Sequence, residues 1–168
     1  NMKIEEKKIL IILSAKCDKK GNLNSLRKVG SNEKTVIDLQ LESLKTKFSE
    51  KYVVLGQNNN QWNKDGFIKI INTEWYKSNS GYSLSLAIKN IKNDAEVWIL
   101  YSDILFRDIN HSKLDKNANI IYVDEEWETR IRDRKLRDSS LIELVKNDNK
   151  NNIKLFYTGA EKYIKNSS

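Results

Sequence analysis

The chain of 168 residues has no proline, one cysteine, one histidine, one methionine and only six glycines. Each scarcity excludes something. A single thiol, Cys17, can form neither an internal disulfide nor a CxxC zinc or redox pair. The only imidazole, His111, leaves one histidine for any Ser-His-Asp or Cys-His mechanism, and its polar setting beside Ser112 reads as surface. The sequence contains no GxGxxG, no GxxxxGK[S/T], no HExxH and no GxSxG. The longest apolar run, Ile9 to Leu13, is five residues, against the roughly 20 that a bilayer-spanning helix needs. Lys3 to Lys8 leads into that run with no small-residue cleavage site after it, so a signal peptide is not expected. The expectation is a cytoplasmic protein without a membrane partner. The missing proline, together with abundant Asn, Lys and Ile, reads as genomic base composition rather than function.

What is present fits one globular domain. At this length about 70% of the unfolded chain's surface can be buried, enough for a core without a structural metal. Thirty basic against twenty-three acidic residues give a net charge of +7, which favours anionic partners such as nucleotides or phosphorylated metabolites. Basic and acidic residues alternate along most of the chain, the pattern of solvated faces. Glu125 to Asp138 concentrates Arg130, Arg132, Arg134, Lys135 and Arg137, but Glu128, Asp133 and Asp138 interleave with them. No nucleic-acid partner is therefore expected.

Lys8 to Leu13 is a continuous apolar run of the kind shown by a strand buried on both faces of a parallel sheet. A polar stretch from Ser14 to Lys34 follows, long enough to be a functional loop. Thr35 can cap a helix with Ile37, Leu41, Leu44 and Phe48 on one face. Tyr52 to Leu55, ending at Gly56, and Phe67 to Ile71 read as the next strands, separated by an Asn-rich loop in which Trp62 has the look of a lid residue. Ser80 can cap a second helix with Leu84, Ala87, Ile88 and Ile91 on one side. Val97 to Tyr101 reads as a further buried strand and Ile120 to Val123 as a fifth, ending in Asp124. Leu141 to Val145 and Ile153 to Tyr157 read as a hairpin about Asn147, Asp148 and Asn149. The order predicts an α/β domain with a mostly parallel sheet and an antiparallel C-terminal part.

In such sheets ligands bind at the carboxyl ends of the strands. The loop after Leu13, the segment after Gly56, and Ser102-Asp103 all fall there. Asp103, directly after an apolar strand, suits a magnesium ligand, because Mg²⁺ takes one or two carboxylates together with substrate phosphates. It equally suits the cap of a helix starting at Ile104. Cys17, among Lys16, Lys19 and Lys20, is in a setting that could lower a thiol pKa, although a plain loop cysteine is the simpler reading. Trp75, Tyr76 and Tyr82 could stack on a base or meet a quaternary cation, while packing remains the simpler role for Trp75.

Ile11-Ile12-Leu13-Ser14-Ala15-Lys16 resembles the opening of the nucleotidyltransferases that activate sugar phosphates and phosphocholine, in which a strand leads into Leu-Ala-Ala-Gly-x-Gly-x-Arg. Leu26 to Gly30, Lys34 to Asp38 and Gln40 to Leu44 are similar to the stretch that enters that family's first helix. Val53-Val54-Leu55-Gly56 resembles its Val-Val-x-Gly-Tyr segment. Asn72-Thr73-Glu74-Trp75, followed by Asn79 to Leu84 and Ala87, resembles a pattern of its choline-phosphate and phosphonate cytidylyltransferase branch. Ile99 to Phe106 resembles the strand and aspartate that hold the metal. The resemblance covers about Ile9 to Trp127.

The resemblance implies a Rossmann-like three-layer α/β sandwich and transfer of a nucleotidyl group, CMP from CTP being favoured, to a small phosphate or phosphonate acceptor with release of pyrophosphate. It implies Mg²⁺ as cofactor, held by Asp103 and by Asp124 as a stand-in on strand-end position alone. Catalytic roles fall on Asp103 and on Lys28, which, or else Arg27, would replace the family's missing activating lysine. Nucleotide contacts fall on Leu13, Ser14, Ala15, Lys16, Lys19, Gly56, Asn72, Asn79 and Ser83. Residues 1–168 would form one nucleotidyltransferase-like domain, with a truncated C-terminal end as one account of the missing second aspartate. The segment Ser14 to Lys20 departs from the family in lacking both glycines and the arginine, which leaves open a noncatalytic relative that binds nucleotides or proteins.

Overall fold

A computed structural model describes residues 7–31, 33–92, 94–107, 118–131 and 143–158. The chain divides into two compact units, Asn1–His111 and Ser112–Ser168.

The first unit is built on a parallel sheet. Strand β1 (Lys8–Ser14) is buried from Ile9 onward. It pairs in parallel with β2 (Glu50–Leu55) on one side and β4 (Glu96–Tyr101) on the other, placing Ile11 opposite both Tyr52 and Ile99. Strand β3 (Ile68–Ile71) pairs in parallel with β2, and the sheet order is β3-β2-β1-β4. Residues of β1 pack into one core cluster on each face of the sheet, and a strand buried on both faces reads as a run rather than an alternation.

Helix α1 (Val36–Leu44) follows β1 and packs Ile37 and Leu44 with Leu10, Ile12, Val53 and Leu55. Helix α2 (Ser80–Ile88) precedes β4 and packs Ala87 with Ile9, Ile11, Leu13, Tyr52 and Val54. Since alternate strand residues point to opposite faces, the two helices lie on opposite sides of the sheet. The result is the expected three-layer α/β sandwich with a mostly parallel sheet.

Local chemistry sets the helix ends. Thr35 precedes α1, and the Asp38 carboxylate accepts its backbone N–H at 2.9 Å and its hydroxyl at 2.7 Å. Lys45 ends the helix in the left-handed conformation (φ 48°). Phe48, expected on the helical face, therefore lies beyond the helix. It still reaches the core, edge-on to Trp98 with ring centroids 5.9 Å apart. Helix α2 is capped one residue earlier than expected: Asn79, not Ser80, accepts the Tyr82 N–H at 3.0 Å. Ile88 faces outward, 48% exposed, while Leu84 and Ile91 pack inward.

In the second unit, α3 (Trp127–Ile131) and an antiparallel hairpin of β5 (Glu143–Asn147) and β6 (Ile153–Thr158) are described. The hairpin supplies the expected antiparallel part. The expected strand Ile120 to Val123 is corrected: these residues lie in irregular backbone, 41–54% exposed. An apolar run is compatible with a strand but does not itself supply the neighbour that a ladder requires. His111, Leu141 and residues 132–138 of the basic segment lie outside the described residues. Among the described residues no helix is long and apolar enough to cross a membrane.

Candidate functional site

The order β3-β2-β1-β4 contains one reversal. From β1 the chain steps outward to β2 and β3, then returns across β1 to β4. The carboxyl ends of β1 and β4 therefore flank a topological switch point, where open α/β sheets bind ligands. The backbone ties those ends together, the Ser102 N–H donating to the Leu13 carbonyl at 3.2 Å. Ser102 is buried and Asp103 is exposed. Residues 104–107 are not helical, so Asp103 caps no helix there; it occupies a turn at the strand end.

That turn is held from α1 as well. The Gln40 side-chain amide donates to the Tyr101 carbonyl at 2.8 Å and to the Ile104 carbonyl at 2.6 Å, bracketing Ser102-Asp103. Gln40 is 1% exposed, and its Oε1 is buried without a hydrogen-bond partner. A buried acceptor left unpaired costs about 1–3 kcal/mol. The sequence did signal this residue, since Gln40 is the one polar side chain on the stripe Val36, Ile37, Gln40, Leu44 that α1 buries.

The loop after β1 is compact. The Ser14 and Ser25 hydroxyls lie 2.9 Å apart, both buried. Cys17 and Leu23 form an antiparallel bridge closed by a tight turn. Within the turn Asp18 Oδ1 accepts the Lys20 N–H at 2.8 Å and the Asn22 N–H at 2.9 Å. The Asn22 bond first, with the Lys20 bond and the Lys20 charge, holds the Asp18 carboxyl below its usual pKa against the opposing effect of desolvation. The loop is also pinned to the segment after β2. Asn58 and Gln61 donate to the Gly21 carbonyl at 2.7 and 2.9 Å, and the Gln61 Oε1 accepts the Leu23 N–H at 3.1 Å. Asp18, Asn58 and Gln61, absent from the sequence expectations, thus shape this loop. Lys16 and Lys19 are exposed on it.

The suggestion of a lowered thiol pKa at Cys17 is corrected. Desolvation and the Asp18 charge raise it, outweighing a hydrogen bond from Asn58. The thiol donates to the Gln57 carbonyl at 3.4 Å.

Gly56 is a contact point between segments. A Cβ there would lie 2.5 Å from Trp75 Cβ and 2.6 Å from the Ala15 carbonyl oxygen. That carbonyl already accepts the Gln57 N–H at 3.1 Å. Trp75 is half-buried and packs edge-on to Tyr76 at 6.0 Å. Tyr76 and Tyr82 are 67% and 39% exposed, and Lys77 Nζ lies over the Tyr76 ring at 5.9 Å.

Asn72, Asn79 and Ser83 do converge. Asn72 is fully buried; its Nδ2 donates to the Ser78 and Ser83 hydroxyls at 2.9 and 3.0 Å, and its Oδ1 accepts the Glu74 N–H at 2.9 Å. All of its donors and its carbonyl oxygen are thus engaged inside the protein, bracing the end of β3 against α2. Asn79 caps α2. Lys28 is exposed and ion-paired with Glu33. Trp62 is corrected from lid to core: it is 3% exposed, edge-on to Phe67, with its indole N–H donating to the Lys64 carbonyl at 3.1 Å.

Asp124 belongs to the second unit, where its Oδ1 accepts the Glu126 N–H at 3.0 Å. No group of three or more His, Cys, Asp or Glu side chains among the described residues could enclose a metal ion. At the switch point Asp103 is exposed at the end of β4, and Lys16 and Lys19 are exposed on the loop after β1; one carboxylate is too small a donor set for an all-protein cation cage.

No protein-family model, curated protein or solved structure matches this chain.

Proposed function

We propose that the chain is a Mg²⁺-dependent nucleotidyltransferase acting at the switch point between β1 and β4. The observation that carries the reading is the placement of Asp103, exposed on a turn that is hydrogen-bonded to β1 and clamped by α1. The favoured donor is CTP, and the acceptor a small phosphate or phosphonate such as phosphocholine or a sugar phosphate. An acceptor oxygen attacks the α-phosphorus, the bond from that phosphorus to the bridging oxygen of the β-phosphate breaks, and pyrophosphate leaves. Such chemistry depends on positioning and charge neutralisation more than on a covalent intermediate. Asp103 would hold Mg²⁺, which would supply charge neutralisation on the phosphates. Lys16 and Lys19 add mobile positive charge beside the triphosphate, as point charges rather than bidentate clamps. Lys28 joins them once it exchanges Glu33 for a phosphate. Exposed Tyr82 offers a face to the base or acceptor. A free, buried-leaning thiol at Cys17 suits a reducing cytoplasm.

A second reading, a module that binds a nucleotide or a protein without transfer, is favoured by one observation. The Lys20 and Asn22 amides, which a phosphate cradle would turn outward, are held by the Asp18 carboxylate. A thermal-shift series with CTP, UTP, ATP and GTP, each with Mg²⁺ and with EDTA, separates the readings. At a hundred times the dissociation constant, linkage gives about 2.7 kcal/mol, or roughly 5–10 °C at this size. A magnesium-dependent shift followed by pyrophosphate release with an acceptor supports the transferase. A shift indifferent to EDTA, without turnover, supports the binding module, and no shift with any nucleotide defeats nucleotide binding altogether.

A further inference from the structure

We infer that Gln40 is a positioning residue whose amide fixes the Asp103 turn for cation and nucleotide binding, an inference that rests on the transferase reading of Asp103. Its geometry allows one orientation. Both hydrogens of Nε2 are committed, one to the carbonyl of the last β4 residue, Tyr101, and one to that of Ile104. Rotating the amide by half a turn would set Oε1 against two carbonyl oxygens. The orientation persists although it leaves Oε1 buried and unpaired, and an unpaired buried group in a folded protein calls for an explanation. A clamp on the turn supplies one. The two accepting carbonyls flank the two residues Ser102 and Asp103, so the amide sets the span of the turn from which the carboxylate projects. The Leu13 carbonyl holds the same turn from β1 through the Ser102 N–H. Gln40 reaches this position because it lies a turn into α1, on its buried stripe, and α1 itself starts from the cap at Thr35. Outer-shell hydrogen bonds of this kind orient a metal-binding carboxylate without touching the metal, and their loss weakens metal affinity or activity by about 10–100-fold.

The test compares Gln40→Met, which keeps the volume and removes both donors, with Asp103→Asn and the unaltered chain. Amide exchange of residues 101–106 and calorimetric Mg²⁺ affinity in the presence of CTP are the readouts. The expected result for Gln40→Met is exchange at least tenfold faster in 101–106 with β1 and β2 unchanged, and Mg²⁺ affinity weakened about tenfold. CTP affinity in EDTA should stay within twofold of the unaltered chain, a split that general loss of stability would not produce. Should Gln40→Met fail to fold, Gln40→Leu, which also removes both donors and buries no charge, is expected to give the same split. Unchanged exchange or Mg²⁺ affinity in the Gln40 variant, while Asp103→Asn weakens Mg²⁺, overturns the role of Gln40 and leaves the transferase reading intact. Mg²⁺ affinity unchanged in Asp103→Asn overturns both.

Discussion

Asp18 and Asp148 close equivalent turns in separate units of the chain. In each, the carboxylate accepts backbone N–H groups two and four residues on, Lys20 and Asn22 in one and Lys150 and Asn152 in the other, at 2.8–2.9 Å. In each, the aspartate N–H donates to the carbonyl of the asparagine four residues later, at 2.9 Å. The fourth residue is left-handed in both, Gly21 at φ 81° and Asn151 at φ 61°. Two five-residue stretches, Asp-Lys-Lys-Gly-Asn and Asp-Asn-Lys-Asn-Asn, thus encode one device, because an aspartate that satisfies two amides needs a left-handed residue to bring the chain back.

The equivalence makes Gly21 replaceable by the residue its counterpart carries. Gly21→Asn is expected to cost less than about 1 kcal/mol, since Asn tolerates the left-handed region. Its Cβ would meet only the Asn58 amide, at 3.1 Å, and that side chain can shift. Gly21→Val is expected to cost about 2–3 kcal/mol, because a β-branched residue does not adopt that conformation without strain. Urea denaturation of both variants checks the pair; equal losses would show that space, not backbone conformation, limits this position.

Gly56→Ala is expected to destabilise by about 2–4 kcal/mol through overpacking. The clash falls on Trp75 Cβ at 2.5 Å, which an alanine would keep, on Trp75 Cγ at 2.7 Å, and on the Ala15 backbone oxygen at 2.6 Å. Trp75→Ala should therefore relieve it only in part. A double-mutant cycle measures the coupling, with the double variant more stable than additivity predicts yet below Trp75→Ala alone. Full relief would mean that the Ala15 carbonyl and the Cβ at position 75 both move freely, and that Gly56 is dictated by the indole ring alone.

These positions show what a sequence can disclose. β1, β2 and α1 were legible because burial on two faces or on one stripe leaves a pattern in hydrophobicity, and the hairpin because its turn is rich in Asn and Asp. Strand β4 was legible as a strand but not in its setting. Among the described residues it lies at the sheet edge, and Val97, Ile99 and Tyr101 are 37–45% exposed, although their composition is that of buried residues. Trp62 and Asn72 were legible only as candidates for binding. Whether an indole fills a core or a carboxamide braces two elements depends on what the fold brings against it, here the cluster of Leu10, Ile12, Ile37 and Val53 for Trp62 and the Ser83 hydroxyl of α2 for Asn72. Gln40 was visible as a polar interruption of an apolar stripe, but nothing local shows which carbonyls it meets.

Stability should depend on pH through Asp38. Partial burial pushes its carboxyl up, but hydrogen bonds from Lys64 and Thr35 and the Lys64 charge outweigh that and hold it at about 2. Lys64 Nζ lies 2.8 Å from Asp38 Oδ1, joining the start of α1 to the segment after Trp62. A depressed folded-state pKa gives stability that is full above the unfolded value of about 3.9 and is lost as pH falls through the folded one. Asp38→Asn keeps an acceptor for Thr35 and removes the charge. It should be less stable than the unaltered chain by about 1–2 kcal/mol at pH 7, after allowance for solvent screening. The gap should begin to shrink at about pH 5 and vanish only at about pH 1, below both pKa values. Chemical denaturation across that range is the measurement, and a gap independent of pH would assign the loss to packing rather than to the ion pair.

Asp103→Asn separates catalysis from folding at the switch point. The side chain is exposed on its turn, and the bonds that hold the turn run through the Ser102 N–H and the Tyr101 and Ile104 carbonyls, not through the Asp103 carboxylate. Stability should therefore change by no more than about 0.5 kcal/mol. If the carboxylate holds Mg²⁺ against the triphosphate, the neutral amide loses the charge that a hard cation requires, and magnesium-dependent pyrophosphate release should fall by about 100-fold or more. The cytidine end of the nucleotide does not depend on that charge, so CTP affinity in EDTA should be retained. Turnover within a few fold of the unaltered chain would remove Asp103 from the reaction. Loss of turnover together with loss of CTP affinity in EDTA would instead give Asp103 a direct part in holding the nucleotide.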